Sequence, residues 1–210
     1  MAQDLPVLYS YRRCPYAMRA RMALRYSGIE VEIREIALKD KPGHMLQVSP
    51  KGTVPVLVTG ETVIDESLDI MYWALARHDP DRWLPLEETR RAEMEALIAV
   101  NDHEFKAALD RYKYTTRFPE QPAEAYRKQC ELILQTLEQR LREQPWLCGR
   151  QRTLADMAIF PFVRQFAMVD MVWFEHSQYT EVAAWLARLK ESDLFLAVMQ
   201  KYPLWVEAAT

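Results

Sequence analysis

Cys14 stands between Arg13 and Pro15 in the run Tyr11-Arg-Arg-Cys-Pro-Tyr-Ala-Met18. A dithiol redox site would carry a second cysteine three positions on, and that position is Ala17. The run follows a short apolar stretch and opens a helical pattern, so the thiol falls at a strand–helix junction. Pro15 then takes the first helical position, where its missing N–H costs nothing and its fixed φ suits the turn. A side chain there faces unpaired backbone N–H groups and the positive end of the helix dipole. Both favour thiolate, the nucleophilic form of cysteine. Arg12, Arg13 and Arg19 add positive charge nearby in sequence. The competing reading, a small buried hydrophobe, fits an apolar helix face better than this junction. Cys130, within an amphipathic pattern, and Cys148 read as packing residues. Without a resolving thiol, a mixed disulfide at Cys14 must be released by an outside thiol. The residues alone therefore favour monothiol chemistry with a soluble thiol cosubstrate.

The elements that place this thiol are readable in outline. Leu5–Ser10 reads as a strand and Cys14–Gly28 as a helix ended by glycine. Ile29, Val31 and Ile33 alternate as in a strand. Residues 40–52 are broken by prolines and glycines and read as a loop with room for a short helix. Two short strands meet near Gly60, and a helix follows from Ser67. This β-α-β, then short helix, then β-β-α order predicts a small mixed sheet, parallel in its first part and antiparallel in its second. We place a first domain at 1–78, a linker at 79–86 and an all-helical domain at 87–210, where the apolar spacing is helical throughout.

Composition narrows the function classes. The chain has 210 residues, half of them hydrophobic, and a formal charge of -3. That predicts no general affinity for nucleic acid. No apolar run approaches the roughly 20 residues that span a bilayer. The first residues carry no cationic n-region, so no secretory signal is expected. Three cysteines predict no disulfide framework and fit a cytoplasmic location. No Cys/His spacing suits zinc, so no metal is expected.

With these residues in view, the chain resembles the cytosolic glutathione S-transferase superfamily over nearly its whole length. Cys14-Pro15-Tyr16-Ala17 is similar to the Cys-Pro-Phe-Ala of the omega-like, cysteine-type classes. The resemblance implies a thioredoxin-like N-terminal domain, a C-terminal helical bundle and glutathione as cosubstrate. It points to Lys41 for the glycine carboxylate, with Lys39 and Lys51 as rivals. It points to Val54 before a cis Pro55 for the cysteinyl backbone, and to Glu66 and Ser67 for the γ-glutamyl end. Tyr16 joins the glutathione-binding set beside Cys14. A cis X–Pro bond turns the preceding backbone outward, where it can pair with an extended peptide. Ser67 would offer its hydroxyl and N–H at a helix start, and Glu66 would accept from an ammonium group.

Other classes of the superfamily hold the glutathione thiolate with a hydroxyl, which makes Tyr9, Ser10 and Tyr11 rivals of Cys14. A cysteine forms mixed disulfides instead, so the resemblance implies thiol transfer, reduction or deglutathionylation. Conjugation of glutathione to electrophiles and a non-catalytic binding module are the alternatives. The second substrate, a small hydrophobic, disulfide or glutathionylated compound, is expected between the domains, with Tyr112, Tyr114, Phe166 and Trp173 as candidate lining residues. His103 reads as surface or structural. Thr153 and Asp156 resemble the family's capping box, Asp156 reaching back to the Thr153 N–H. A homodimer is what the family implies.

Overall fold

The computed structural model describes residues 5–207. The chain divides into two units, one running up to Asp81 and resuming at Ser192, the other spanning Arg82–Glu191.

The first unit is built on a four-stranded sheet. Strands β1 (Val7–Ser10), β2 (Glu32–Glu35), β3 (Val56–Thr59) and β4 (Thr62–Ile64) lie in the order β2-β1-β3-β4. The β1/β2 pair is parallel, with Val7 opposite Glu32, and the β1/β3 and β3/β4 pairs are antiparallel. This is the predicted topology, because each crossover is local. Helix α1 (Pro15–Tyr26) links the parallel pair, as a parallel connection requires. It ends where Gly28 takes φ +69°, with the Ile29 N–H returning to the Leu24 carbonyl at 2.9 Å. The loop after β2 holds a short helix, α2 (Gly43–Val48), and α3 (Ser67–Leu75) follows β4. Alternation along β1 sends Leu8 and Ser10 to one face and Tyr9 to the other, all fully buried.

The second unit is helical: α4 (Glu88–Val100), α5 (Lys106–Lys113), α6 (Ala123–Glu143), α7 (Leu154–Ala167), α8 (Met171–Glu175) and α9 (Thr180–Lys190). A π-helical turn at Asn101–Phe105 joins α4 to α5, an interruption that the helical apolar spacing of this region does not reveal. Helix α7 is nearly all buried despite Pro161. Its capping box is formed, with the Thr153 N–H donating to Asp156 at 2.9 Å. Asp156 also accepts from the Leu147 N–H and the Trp185 indole, both at 3.0 Å.

Two boundaries differ from the expected ones. Trp83, read as linker, is fully buried and accepts the Leu154 N–H at 2.9 Å, so it belongs to the helical unit. The chain from Ser192 belongs to the first unit rather than to the helical domain. Helix α10 (Asp193–Val198) packs on α1, and the Val198 carbonyl accepts from Arg21 at 3.1 Å. Beyond it, Leu204 bridges to Glu35 and the Trp205 N–H donates to the Glu35 carbonyl at 2.8 Å. Trp205 meets Tyr9 edge to face, and Glu207 accepts from the N–H groups of Gly43 and His44.

Candidate functional site

Cys14 caps the N-terminus of α1 with extended backbone, and Pro15 is the first helical residue. The Cys14 N–H donates to the Tyr11 carbonyl at 3.0 Å, closing the turn out of β1. The sulfur is half-buried and donates to the Val54 carbonyl at 3.7 Å. The Val54–Pro55 bond is cis. The fold thus brings the nucleophile candidate against the backbone of Val54, forty residues downstream.

Glu66 and Ser67 lie together at the start of α3, Glu66 as its N-cap and Ser67 as its first residue. Ser67 is buried, and its hydroxyl accepts from Arg19 Nε at 3.0 Å. Arg19, also buried, lies over the Tyr16 ring with its guanidinium carbon 5.1 Å from the centroid. Tyr16, Arg19 and Ser67 are therefore one connected group between α1 and α3. Arg19 was legible only as nearby positive charge, because nothing in the sequence paired it with Ser67.

The three lysines separate. Lys51 forms an ion pair with the exposed Glu66 carboxylate at the start of α3. The loop that carries it is tied down by Ser49, whose hydroxyl donates to Asp65 at 3.0 Å. Lys41 lies over the buried Gly52, where φ is +62°. A Cβ at Gly52 would stand 3.4 Å from Lys41 Nζ and 3.2 Å from Leu46, so a side chain there would crowd both. Lys41 thus sits on the loop leading to Val54, and Lys39 is exposed on the preceding turn.

The hydroxyl rivals are largely committed elsewhere. Tyr9 is fully buried; its hydroxyl accepts from Arg34 at 2.9 Å and is hydrogen-bonded to His44. Burial pushes its phenol above the ordinary value, against phenolate. The Ser10 hydroxyl accepts from the buried Arg21. Tyr11 is half-buried. The remaining thiols are sealed: burial pushes Cys130 up to about 12 and Cys148 up to about 11. No disulfide joins any of the cysteines.

The aromatic candidates in the helical unit fall into two groups. Phe166 is 1% exposed and Tyr112 is 6% exposed, and their rings meet at 5.5 Å. Phe166 also packs on Phe105, Trp173 and Phe174. These two side chains are core, so their surface is spent on packing rather than on an open pocket. Trp173 is half-buried under Arg127, and Tyr114 is exposed beneath Lys113 and Arg117. Among the described residues, no cluster of His, Cys, Asp or Glu has the grouping of metal ligands, and no helix is long and apolar enough to cross a membrane.

Comparisons with known proteins agree with this layout. Residues 8–83 match the family model "Glutathione S-transferase, N-terminal domain", and residues 106–188 match "Glutathione S-transferase, C-terminal domain". Glutathione S-transferase U19 of Arabidopsis thaliana is 28% identical over 92% of this chain and 88% of its own length. Glutathione S-transferase omega-1 of Mus musculus is 25% identical over 94% of this chain and 77% of its own. A glutathione transferase family member from Pseudomonas fluorescens, solved with two glutathione bound, has the same fold. Its TM-score is 0.80 at 20% identity, over 93% of this chain and 92% of that one. With both halves matched in order, and with the cis-proline turn and the Glu66-Ser67 helix start in place, the chain belongs to the glutathione S-transferase superfamily.

Proposed function

We propose that this enzyme is a glutathione-dependent thiol transferase or reductase of the omega-like type, with Cys14 as its nucleophile. The observation that carries the reading is the placement of Cys14 at the start of α1 beside the Val54 carbonyl. The Ser10 and Tyr9 hydroxyls, meanwhile, are held by arginines.

Glutathione would lie along the loop from Lys41 to Ser67. Its cysteinyl backbone would pair with Val54 ahead of Pro55, and Tyr16 would flank its thiol. Its ammonium group would meet Glu66, displacing Lys51. Its γ-glutamyl carboxylate would meet the N–H groups at the start of α3. Its glycine carboxylate would meet Lys41. In the first step the Cys14 thiolate attacks the glutathione sulfur of a glutathionylated substrate. A Cys14–glutathione disulfide forms, and the substrate leaves as its thiolate. In the second step a glutathione thiolate attacks that disulfide, giving oxidised glutathione and restoring the Cys14 thiolate. Ala17 leaves no internal thiol three residues on to resolve the intermediate, so the electrons that reduce it come from glutathione. The second substrate is a small hydrophobic, disulfide or glutathionylated compound. A cytoplasmic location suits a cycle that consumes reduced glutathione, and a homodimer is what the superfamily implies.

Conjugation of glutathione to electrophiles is the second reading, favoured by the half-buried Tyr11, whose carbonyl accepts the Cys14 N–H, as a rival hydroxyl. Intact mass after treatment with oxidised glutathione separates the two. One glutathione adduct is expected, at Cys14, and absent in Cys14→Ala. No adduct, or an adduct at Cys130 or Cys148, removes the thiol-transfer reading. Conjugation that survives Cys14→Ala establishes the second. Failure to bind immobilised glutathione leaves only a non-catalytic binding module.

A further inference from the structure

The turn that presents Cys14 is held from within by one side chain. Arg21, two turns into α1, is 4% exposed. Its Nη1 donates to the Ser10 hydroxyl and, at 3.5 Å, to the Tyr11 carbonyl. Its Nη2 donates to the Arg12 carbonyl at 2.8 Å, and its Nε to the Val198 carbonyl at 3.1 Å. Three successive residues before Arg13 and Cys14 therefore converge on one guanidinium. From β2, the buried Glu35 grips the same turn, accepting the Arg12 N–H at 2.6 Å.

Packing alone does not call for a cation here. An apolar residue would fill the inner face of α1 without the cost of burying a charge. A planar fork of donors satisfies several acceptors at once, and a lysine cannot reproduce it. The charge is enclosed: burial lowers the Arg21 guanidinium to about 10, while Glu35, the Cys14 thiolate and Tyr202 favour its charged form and Arg12 opposes it.

We propose that Arg21 is the positioning residue of Cys14: it fixes the turn that presents the sulfur and lends that sulfur positive charge from the enclosed side, with Glu35 as its counterweight. The inference rests on the reading of Cys14 as the nucleophile. It makes two opposed demands. Removing the cation raises the pH at which Cys14 becomes reactive, and removing the anion lowers it. A merely structural role for either residue would not produce shifts of opposite sign.

The test is alkylation of Cys14 by iodoacetamide, in which the thiolate displaces iodide, followed against pH by intact mass. The midpoint of the profile is expected to rise by about one pH unit in Arg21→Met and to fall by about half a unit in Glu35→Gln. Arg21→Lys keeps the charge but not the fork, so its midpoint stays near that of the wild type while its melting temperature drops. Midpoints that do not move, or that move the same way in Arg21→Met and Glu35→Gln, overturn the role of Arg21. If Arg21→Met does not fold, Glu35→Gln decides, because its side-chain oxygen still accepts the Arg12 N–H; an unchanged or raised midpoint overturns the proposal. A wild-type Cys14 that is inert across the range removes the nucleophile reading and this inference together. A reactive wild type with unmoved variants removes this inference only.

Discussion

Replacing Asp156 by alanine should be among the most damaging single changes in the helical unit. The carboxylate is fully buried and accepts from four donors: the Leu147 and Thr153 N–H groups, the Thr153 hydroxyl and the Trp185 indole. Alanine leaves the two amides and the indole facing apolar surroundings. Each stranded donor costs about 1–3 kcal/mol. Against this, the carboxylate is itself costly to bury, as its pKa shows: burial raises it even against those four donors. The balance is about 3–5 kcal/mol, the range found when one partner of a buried charged network is removed. With a slope of about 3 kcal/mol per molar urea, the unfolding midpoint should fall by 1 M or more at unchanged slope. Tryptophan fluorescence is the assay, since Trp185 touches the site. Two controls grade the effect. Thr153→Ala removes one cap hydroxyl and should cost about 1 kcal/mol. Asp156→Asn keeps the shape but turns one acceptor into a donor among donors, and should lose at least half as much as alanine. An Asp156→Ala midpoint within about 1 kcal/mol of the wild type, or an asparagine variant equal to it, would refute the reasoning.

Two further outcomes follow from the geometry. Glu66→Gln should weaken glutathione binding about tenfold or more by calorimetry in a Cys14→Ala background, because a charge-assisted bond to the ammonium is lost. Its melting temperature should hardly change, since the Lys51–Glu66 pair is about half exposed; a lowered melting temperature with unchanged affinity would contradict this. The buried thiols set an alkaline limit on stability. Cys130 and Cys148 remain protonated in the folded chain up to about 12 and about 11, whereas unfolded thiols ionise near 9. Their folded values are raised, so the stability they contribute is whole below pH 9 and is lost as pH rises toward 11 and 12. From pH 9 to 10 the pair should cost about 2 kcal/mol, read from urea midpoints, and Cys130→Ala/Cys148→Ala should flatten that slope.

What the sequence disclosed was mostly local. The β1/β2 crossover and the β3/β4 hairpin follow from elements adjacent in the chain, so alternation and turn residues were enough. Cys14 and Pro15 were legible because a thiol at a helix start has chemistry of its own. The Thr153–Asp156 box was legible because its partners are three residues apart. The Asn101–Phe105 turn was hidden, because one extra residue per turn barely disturbs an apolar stripe. Arg21 was hidden because an arginine within a helix reads as solvent-facing until its acceptors are known. Tyr112 and Phe166 show the converse: aromatic residues near a supposed pocket were core, and only burial separates the two. The least legible feature was the return of residues 192–207, since the six-residue α10 and the Trp205–Glu35 pairing depend on contacts some 170 residues apart.

That return sets an order for assembly on the ribosome. The helical unit, Arg82–Glu191, is one continuous length of chain. The unit that carries Cys14 is not: Arg21 lacks its Val198 acceptor, the outer edge of β2 lacks Trp205, and α2 lacks the Glu207 carboxylate until the last of these residues has emerged. The part translated first is therefore completed last. A nascent chain halted after residue 191 would leave the outer edge of β2 open and Arg21 Nε without its Val198 acceptor.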